Sequence, residues 1–147
     1  MSPSIKIVLL ESAGGEGRFM PSYGSAGAAG ADLRAAVNDF IELNPGDRVL
    51  IPTGIAVALP EGFEAQVRSR SGLALRHGLY LPNGPGTVDS DYRGEVGVIM
   101  QNGGLETVRI QRGDRIAQLV IAPVIQAQFD RVEDLEVTAR GSGGFGS

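Results

Sequence analysis

Two aspartates, Asp89 and Asp91, stand two residues apart in the stretch LPNGPGTVDSDYRGEVGV, residues 81–98. On a strand, residues two apart share a face, so both carboxylates are expected to point the same way. Without a partner cation, that arrangement is repulsive. The glycines of the NGPG segment would let the backbone of a hairpin approach a flat ligand closely. The plainer alternative is a solvated hairpin in which one aspartate pairs with Arg93.

A further carboxylate and an arginine-serine turn lie upstream of this pair. Asp32, in GADLRAA, falls within a strand-like run, where a buried carboxylate is costly unless it is paired or near a metal. The alternative is an exposed position on an edge strand. In RSRSGLA, residues 68–74, a strand gives way to a helix, and free N–H groups beside Arg70 and Ser71 would bind an anion. A simpler possibility is that Ser69 or Ser71 only caps the helix.

The carboxyl-terminal segment GSGGFGS, which follows Arg140, holds one large apolar ring, Phe145, among glycines and serines. Such a segment cannot build a strand or helix alone, because glycine loses too much backbone entropy on ordering. Successive N–H groups in it could form an anion nest. Most glycine-rich tails are simply disordered, so the segment by itself leaves both readings open.

Composition excludes several functional classes. The chain of 147 residues has no cysteine and a single histidine, His77, which excludes disulfides, thiol catalysis, zinc-thiolate sites and multi-histidine metal sites. Its only lysine, Lys6, does not lie in a Walker A loop. A net charge of -4 gives no basic field for nucleic acid. No apolar run approaches a membrane span, and we expect a soluble, cytoplasmic protein.

Short apolar runs separated by glycine and proline turns predict an all-β barrel or sandwich of one domain. One short helix is expected over residues 71–78. The runs that read as strands cover residues 4–10, 49–52, 54–60, 63–69, 95–102, 107–110 and 115–124.

Taken in order, these segments resemble the five motifs of the trimeric dUTP pyrophosphatases, the dUTPases. The motifs are AGADLRA, RSRSGLA, NGPGTVDSDYRGEVGV, GDRIAQLV and RGSGGFGS, and together they extend from about Ala29 to Ser147. Any one of them is modest evidence, whereas five in the right order and spacing are specific. One departure is local: the second motif usually has proline where this chain has Ser69.

The resemblance implies a distorted jelly-roll β-barrel of the β-clip type over residues 1–139, followed by a glycine-rich lid at 140–147. It further implies a homotrimer whose active sites lie between subunits and hydrolyse dUTP to dUMP and pyrophosphate with Mg²⁺. Asp89 would be the general base, Asp32 would hold Mg²⁺ through a water, and Tyr92 would pack beneath the sugar. The remaining implied contacts are Arg70, Ser71, Gly72 and Gln118 with the phosphates, Asn83, Thr87, Val88 and Gly97 with uracil and deoxyribose, Arg140 with the γ-phosphate, and Phe145 stacked over the base.

Two rival functions are considered. The first is a dCTP deaminase, an enzyme of related fold that also needs no zinc, although VDSDYRGEV and the phenylalanine-bearing tail match the dUTPase pattern better. Ammonia release from dCTP would distinguish the two. The second is a β-barrel binding module without catalysis, which would be expected to lose Asp89 or Arg140; both are present.

Overall fold

The computed structural model describes residues 2–146, and strands dominate that part of the chain. A single α-helix, α1, spans Ser71–His77, and two short 3-10 helices cover Glu11–Ala13 and Gly17–Phe19. None of the helices in residues 2–146 is long and apolar enough to cross a bilayer. The strands are β1 (Lys6–Leu9), β2 (Ser22–Tyr23), β3 (Ala31–Arg34), β4 (Phe40–Leu43), β5 (Arg48–Ala58), β6 (Phe63–Arg68), β7 (Leu79–Tyr80), β8 (Gly86–Val88), β9 (Glu95–Asn102), β10 (Val108–Gln111) and β11 (Arg115–Pro123).

The strands form three antiparallel sheets. One has the order β1-β5-β9-β7, a second has the order β2-β3-β11-β6-β8, and β10 pairs with β4 alone. Within residues 2–146 the ladders do not close into one continuous barrel. Except for β2 and β3, paired strands are not consecutive in the sequence, as expected of a jelly-roll-like fold. The prediction of an all-β fold with one short helix is confirmed.

The core lies between the sheets and follows the two-residue period of the strands. In β9, inward positions alternate with partly exposed ones, so that Val96, Val98 and Met100 are buried. The last inward residue is polar: Asn102 donates to the carbonyls of Leu43 and Glu106 at 2.9 and 2.8 Å. With these bonds made, its burial does not leave an unpaired amide.

The runs 49–52 and 54–60 belong to one strand, β5, and not to two strands. Its pairing with β9 is irregular between Pro52 and Ala56. Gly54 sits at this irregularity with φ +76°, and a Cβ on it would lie 2.7 Å from the Cβ of Ala13. Only glycine suits that conformation and close approach. In the sequence, a glycine at such a bulge looks like a glycine in a turn between two strands.

The amino-terminal segment is fastened to the body by Arg112. Its guanidinium lies over the ring of Phe19 at 4.7 Å and donates to the carbonyls of Ser12 and Val37, both at 2.9 Å. It also pairs with the Glu16 carboxylate at 3.0 Å. That bond, together with one from Arg18, lowers the pKa of Glu16 below its ordinary value of 4.5.

Helix α1 ends at His77, one residue before the predicted end, and its start is not capped as expected. Gly78 follows it with φ +68°, and its N–H bonds back to the helix. The N-cap residue is Arg70, which makes no side-chain cap bond. The expectation that Ser69 or Ser71 caps the helix is therefore wrong. The Ser69 hydroxyl instead accepts a hydrogen bond from the N–H of Leu81 at 2.9 Å.

Beyond β11 the chain forms an arm, residues 124–146, that leaves the body of the protein. Its link near the start is the N–H of Val124, which donates to the carbonyl of Gly62 at 2.8 Å. The arm carries no strand or helix. Large apolar side chains on it are exposed, namely Ile125, Phe129, Val132, Leu135, Val137 and Phe145.

Candidate functional site

A small pocket of about 60 Å³ lies where β6, β8 and β9 meet. Strand β8 forms one side of this pocket and pairs with β6, with Gly86 opposite Val67. The turn before β8 is closed by the N–H of Gly84, which donates to the Leu81 carbonyl at 3.0 Å. All four residues implied to contact uracil and deoxyribose line this pocket, namely Asn83, Thr87, Val88 and Gly97.

Asp89 follows Val88 directly and leaves the strand. Its carbonyl accepts the N–H of Tyr92 at 3.2 Å, which makes residues 89–92 a turn. Asp91 lies within that turn, so the expectation that the two carboxylates share one face of a strand is wrong. They nevertheless line the same open groove, of about 810 Å³.

Neither carboxylate is paired with Arg93, so the solvated Asp–Arg hairpin is also wrong. The Arg93 guanidinium donates to the carbonyls of Ser90 and Tyr92, at 2.7 and 3.0 Å. Asp89 is exposed, and no hydrogen bond or ion pair to its carboxylate is found among residues 2–146. The groove around it is acidic, since Glu61, Glu64, Asp89 and Asp91 line it against Arg93 alone.

The Tyr92 ring is held beside this turn by its hydroxyl, which donates to the Glu95 carbonyl at 2.8 Å. The Glu95 carboxylate in turn accepts the N–H of Gly54 at 2.8 Å and the hydroxyl of Ser12 at 3.0 Å. The aromatic ring therefore stands on a fixed part of the sheet, while remaining about half exposed.

A second group of side chains gathers on β3, β11 and the start of α1. The Asp32 carboxylate lies 3.6 Å from Arg70 Nε and 3.6 Å from Arg115 Nη1. Arg70 also donates to the Arg115 carbonyl at 3.2 Å. Asp32 is largely buried, and β3 lies between β2 and β11, so the edge-strand alternative is wrong. The carboxylate is paired, as burial requires.

Gln118 connects Asp32 to the arginine-serine turn. In the sheet it stands opposite Asp32 on one side and Arg68 on the other. Its Nε2 donates to the Ser69 carbonyl at 3.0 Å. A Cβ at Gly30 would lie 2.5 Å from the Gln118 Oε1, so a larger residue there would push the amide aside.

Ser71 and Gly72 open α1 beside this group. The first N–H donor into the helix is that of Ala74, which bonds to the Arg70 carbonyl at 3.1 Å. The N–H groups before it have no partner within the helix and are able to bind an anion.

The tail residues lie apart from both groups. Arg140 donates to the carbonyl of Gly143 at 2.8 Å, within the tail itself. Phe145 is fully exposed and has a left-handed backbone, φ 52°, which is uncommon for a residue with a side chain. Ser147 lies outside the described residues.

One chain thus holds two separate part-sites. The pocket and groove of β8 and Asp89 form one, and the Asp32, Arg70 and Gln118 group forms the other. The acidic groove shares no lining residue with the cavity of about 280 Å³ that Arg70 and Arg115 line. Sequence reasoning missed Arg115 and Ser69 as members of the second group, although both lie inside the quoted motifs.

Comparison with known proteins agrees with these motifs. The dUTPase family profile matches residues 18–147. The deoxyuridine 5'-triphosphate nucleotidohydrolase of Dinoroseobacter shibae is 59% identical over 133 residues, which is 87% of this chain and 86% of that protein. The enzyme of the same name from Roseobacter denitrificans is 59% identical over 129 residues, 87% of this chain and 85% of that protein.

Solved structures agree with the fold. The Staphylococcus bacteriophage 80alpha dUTPase with dUPNHPP matches with a TM-score of 0.86 at 28% identity, over 99% of this chain and 98% of that one. A mutant dUTPase from phage phi11 of S. aureus, described with a structural Mg(II) ion, has a TM-score of 0.79 at 25% identity, over 91% and 99%. By sequence profile and by close relatives, this chain belongs to the dUTPase family.

Proposed function

We propose that this chain hydrolyses dUTP to dUMP and pyrophosphate, with Asp89 holding the attacking water in line with the α-phosphorus. The observation that carries the proposal is the exposed, unpaired carboxylate of Asp89, one residue after Val88, which lines the small pocket between β6, β8 and β9. An aspartate is a weak base, with a reference pKa of about 3.9. Phosphoryl transfer relies mainly on positioning and charge neutralisation, so orientation of water suffices.

The base and sugar are assigned to the small pocket. Asn83 and Thr87, with the main chain at Val88 and Gly97, would bind uracil and deoxyribose, and Tyr92 would pack beneath the sugar. We expect the close main chain of this hairpin to exclude the 5-methyl group of thymine by steric clash. Cytosine would mismatch the polar groups, which costs affinity because they stay unpaired. The ring of Tyr92 would exclude a 2′-hydroxyl.

The triphosphate is assigned to the second part-site. Arg70, Ser71, Gly72 and Gln118 would bind it with charge, a hydroxyl, N–H groups and an amide. The acidic groove beside Asp89 cannot supply that charge itself, since four carboxylates line it against one arginine. Arg140 would add a cation at the γ-phosphate when the tail folds over the site.

The residues fit Mg²⁺ held largely by the triphosphate and water. Among residues 2–146, no group of three or more acidic or histidine side chains could form a full cage. A single carboxylate, Asp32, would bind the ion through one of its water ligands, because Mg²⁺ keeps several waters. When bound, the ion would neutralise charge on the phosphates. In this chain, Arg70 and Arg115 hold the Asp32 carboxylate in place at 3.6 Å.

A homotrimer with shared sites would bring the two part-sites together, and their separation on one chain supports this proposal. Asp89 and Arg70 line different cavities of one chain, so a second copy is the simplest way to combine them. The arm supports the same proposal, because Phe129 and Val137 are exposed at 94% and 98% and need cover. Phe145, fully exposed on its own chain, would then stack over uracil in a neighbour's site. The cytoplasmic location stays a prediction.

The activity is tested by measuring pyrophosphate release from dUTP, dTTP, dCTP and UTP, together with ammonia release from dCTP. We expect dUTP to be strongly preferred and no ammonia to be formed. In ¹⁸O-water, the label should enter dUMP, since the water attacks the α-phosphorus and pyrophosphate leaves. Comparable kcat/KM for dUTP and dTTP, label in pyrophosphate, or deamination would each contradict the proposal.

The shared site is tested by co-refolding two inactive chains, Asp89→Ala and a deletion of residues 141–147. If base and lid come from different chains, about a quarter of the sites in random closed trimers are intact. If one chain supplies both, no mixed site is whole. A mixture as inactive as its parents, with subunit exchange verified by mass spectrometry, would refute the shared site.

A further inference from the structure

Ser69 lies between β6 and α1, and its hydroxyl reaches into the turn that precedes β8. Its Oγ accepts the N–H of Leu81 at 2.9 Å. The Leu81 carbonyl accepts the N–H of Gly84 at 3.0 Å, which closes the turn carrying Asn83. Leu81 is buried, so its N–H needs a partner, and the Ser69 hydroxyl provides it. The hydroxyl therefore fixes the start of a turn that lines the small pocket.

The main chain of the same residue belongs to the phosphate group. The Ser69 carbonyl accepts the Gln118 amide at 3.0 Å. The next residue, Arg70, lies 3.6 Å from Asp32. Ser69 and Leu81 also line one open groove of about 420 Å³, and Leu81 lines the small pocket as well. One residue thus bonds to both part-sites of the chain.

We infer that the Ser69 hydroxyl is a positioning group, which fixes the nucleobase turn at Leu81 to the chain segment that opens the phosphate turn at Arg70, so that each chain presents both turns to the shared sites in one arrangement. This inference rests on the proposed function. The reason is energetic: without the hydroxyl, the Leu81 N–H is buried and unpaired, and the turn is less often in its binding arrangement. Apparent affinity falls with the fraction of competent molecules. The loss should appear in KM and in selectivity, while the chemistry at Asp89 is untouched.

The inference is tested with Ser69→Ala in the full chain, and Thr107→Ala serves as the control. Thr107 also makes a hydroxyl bond, to Asn44 at 2.8 Å, but at the end of the β4–β10 sheet. Ser69→Ala should raise KM for dUTP roughly 2- to 12-fold, the factor that one neutral hydrogen bond supplies. Its kcat should stay within roughly twofold, its preference for dUTP over dTTP should fall, and amide exchange at Leu81 should accelerate. Thr107→Ala should change none of these.

Two further variants keep the test decisive. Ser69→Thr retains the hydroxyl and should restore KM and Leu81 protection. Ser69→Pro has the residue usual in the dUTPase motif, so it should fold even if Ser69→Ala does not, and it should raise KM in the same direction. Wild-type KM and selectivity in a folded Ser69→Pro or Ser69→Ala, or Leu81 exchange unchanged in either, would overturn the inference.

The failure of this inference is distinct from that of the proposed function. If the wild-type protein does not hydrolyse dUTP, the proposed function fails on its own. Leu81 exchange, measured without nucleotide, then decides whether the hydroxyl bond holds the turn. If the wild-type protein prefers dUTP and the Ser69 variants match it in KM, selectivity and Leu81 exchange, only the inference about Ser69 is refuted.

Discussion

Replacement of Asp32 by asparagine separates a structural role of this carboxylate from a functional one. Each of its two arginine contacts is 3.6 Å long, beyond ordinary hydrogen-bond range, and the Arg115 side chain is half exposed. The Arg115 pair is screened by solvent and worth about 0.2–1 kcal/mol, and the more buried Arg70 pair is equally long, so we assign it a similar value. Asp32→Asn should therefore lower the free energy of unfolding by only about 0.4–2 kcal/mol.

The functional loss should be much larger if Asp32 holds Mg²⁺ through water. Loss of a group that orients a metal or its ligands typically costs about 10- to 100-fold in metal affinity or activity. We expect kcat/KM for dUTP to fall by roughly that factor at fixed Mg²⁺ and to recover in part as Mg²⁺ is raised. The assays are urea unfolding and pyrophosphate release across a Mg²⁺ titration.

Glu42→Gln provides the matched control, because Glu42 also pairs with an arginine, Arg109, at 2.7 Å on the exposed β4–β10 sheet. It should change stability by a similar amount and leave the Mg²⁺ dependence alone. If Asp32→Asn keeps wild-type kcat/KM at every Mg²⁺ concentration, Asp32 is only an ion-pair partner and the metal assignment is wrong. Equal loss in both variants would mean that reduced stability explains the effect.

Three other changes test the remaining assignments. Asp89→Asn should retain dUTP binding by calorimetry but lose several orders of magnitude in kcat, since it keeps the shape and removes the base; a kcat near wild type would be incompatible with the role. Phe145→Ala should lower kcat/KM roughly 5- to 150-fold, the range of base–aromatic stacking, with an unchanged melting temperature; unaltered kinetics would place the ring outside the site. Because its pKa is lowered, the ionised Glu16 carboxylate stabilises the fold. This contribution is complete above pH 4.5 and is lost as pH falls through the lower, folded-state pKa. Glu16→Gln should therefore flatten the acid side of a thermal-melting profile, and an identical profile would mean that the Arg112 pairing does not contribute.

The sequence predicted the elements whose pattern is local. Alternation of apolar residues identified β9, and a serine-glycine start with a glycine end bounded α1. The two-residue strands β2 and β7 were not predicted, because so short a segment has no period to detect. The irregularity of β5 at Gly54 was missed for a related reason: a glycine in a bulge and a glycine in a turn look the same along the chain.

The sequence by itself determined the family and the candidate site residues, since five ordered motifs indicate the base pocket, the phosphate turn and the tail. Tertiary structure alone decided how they are partnered. Arg115 meets Asp32, and Ser69 bonds to Leu81, because sheet pairing brings residues distant in sequence into contact. It also decided that Asp89 and Arg70 line different cavities of one chain. Residue spacing along the chain does not reveal these contacts, because the residues that meet are fixed only when the strands pair.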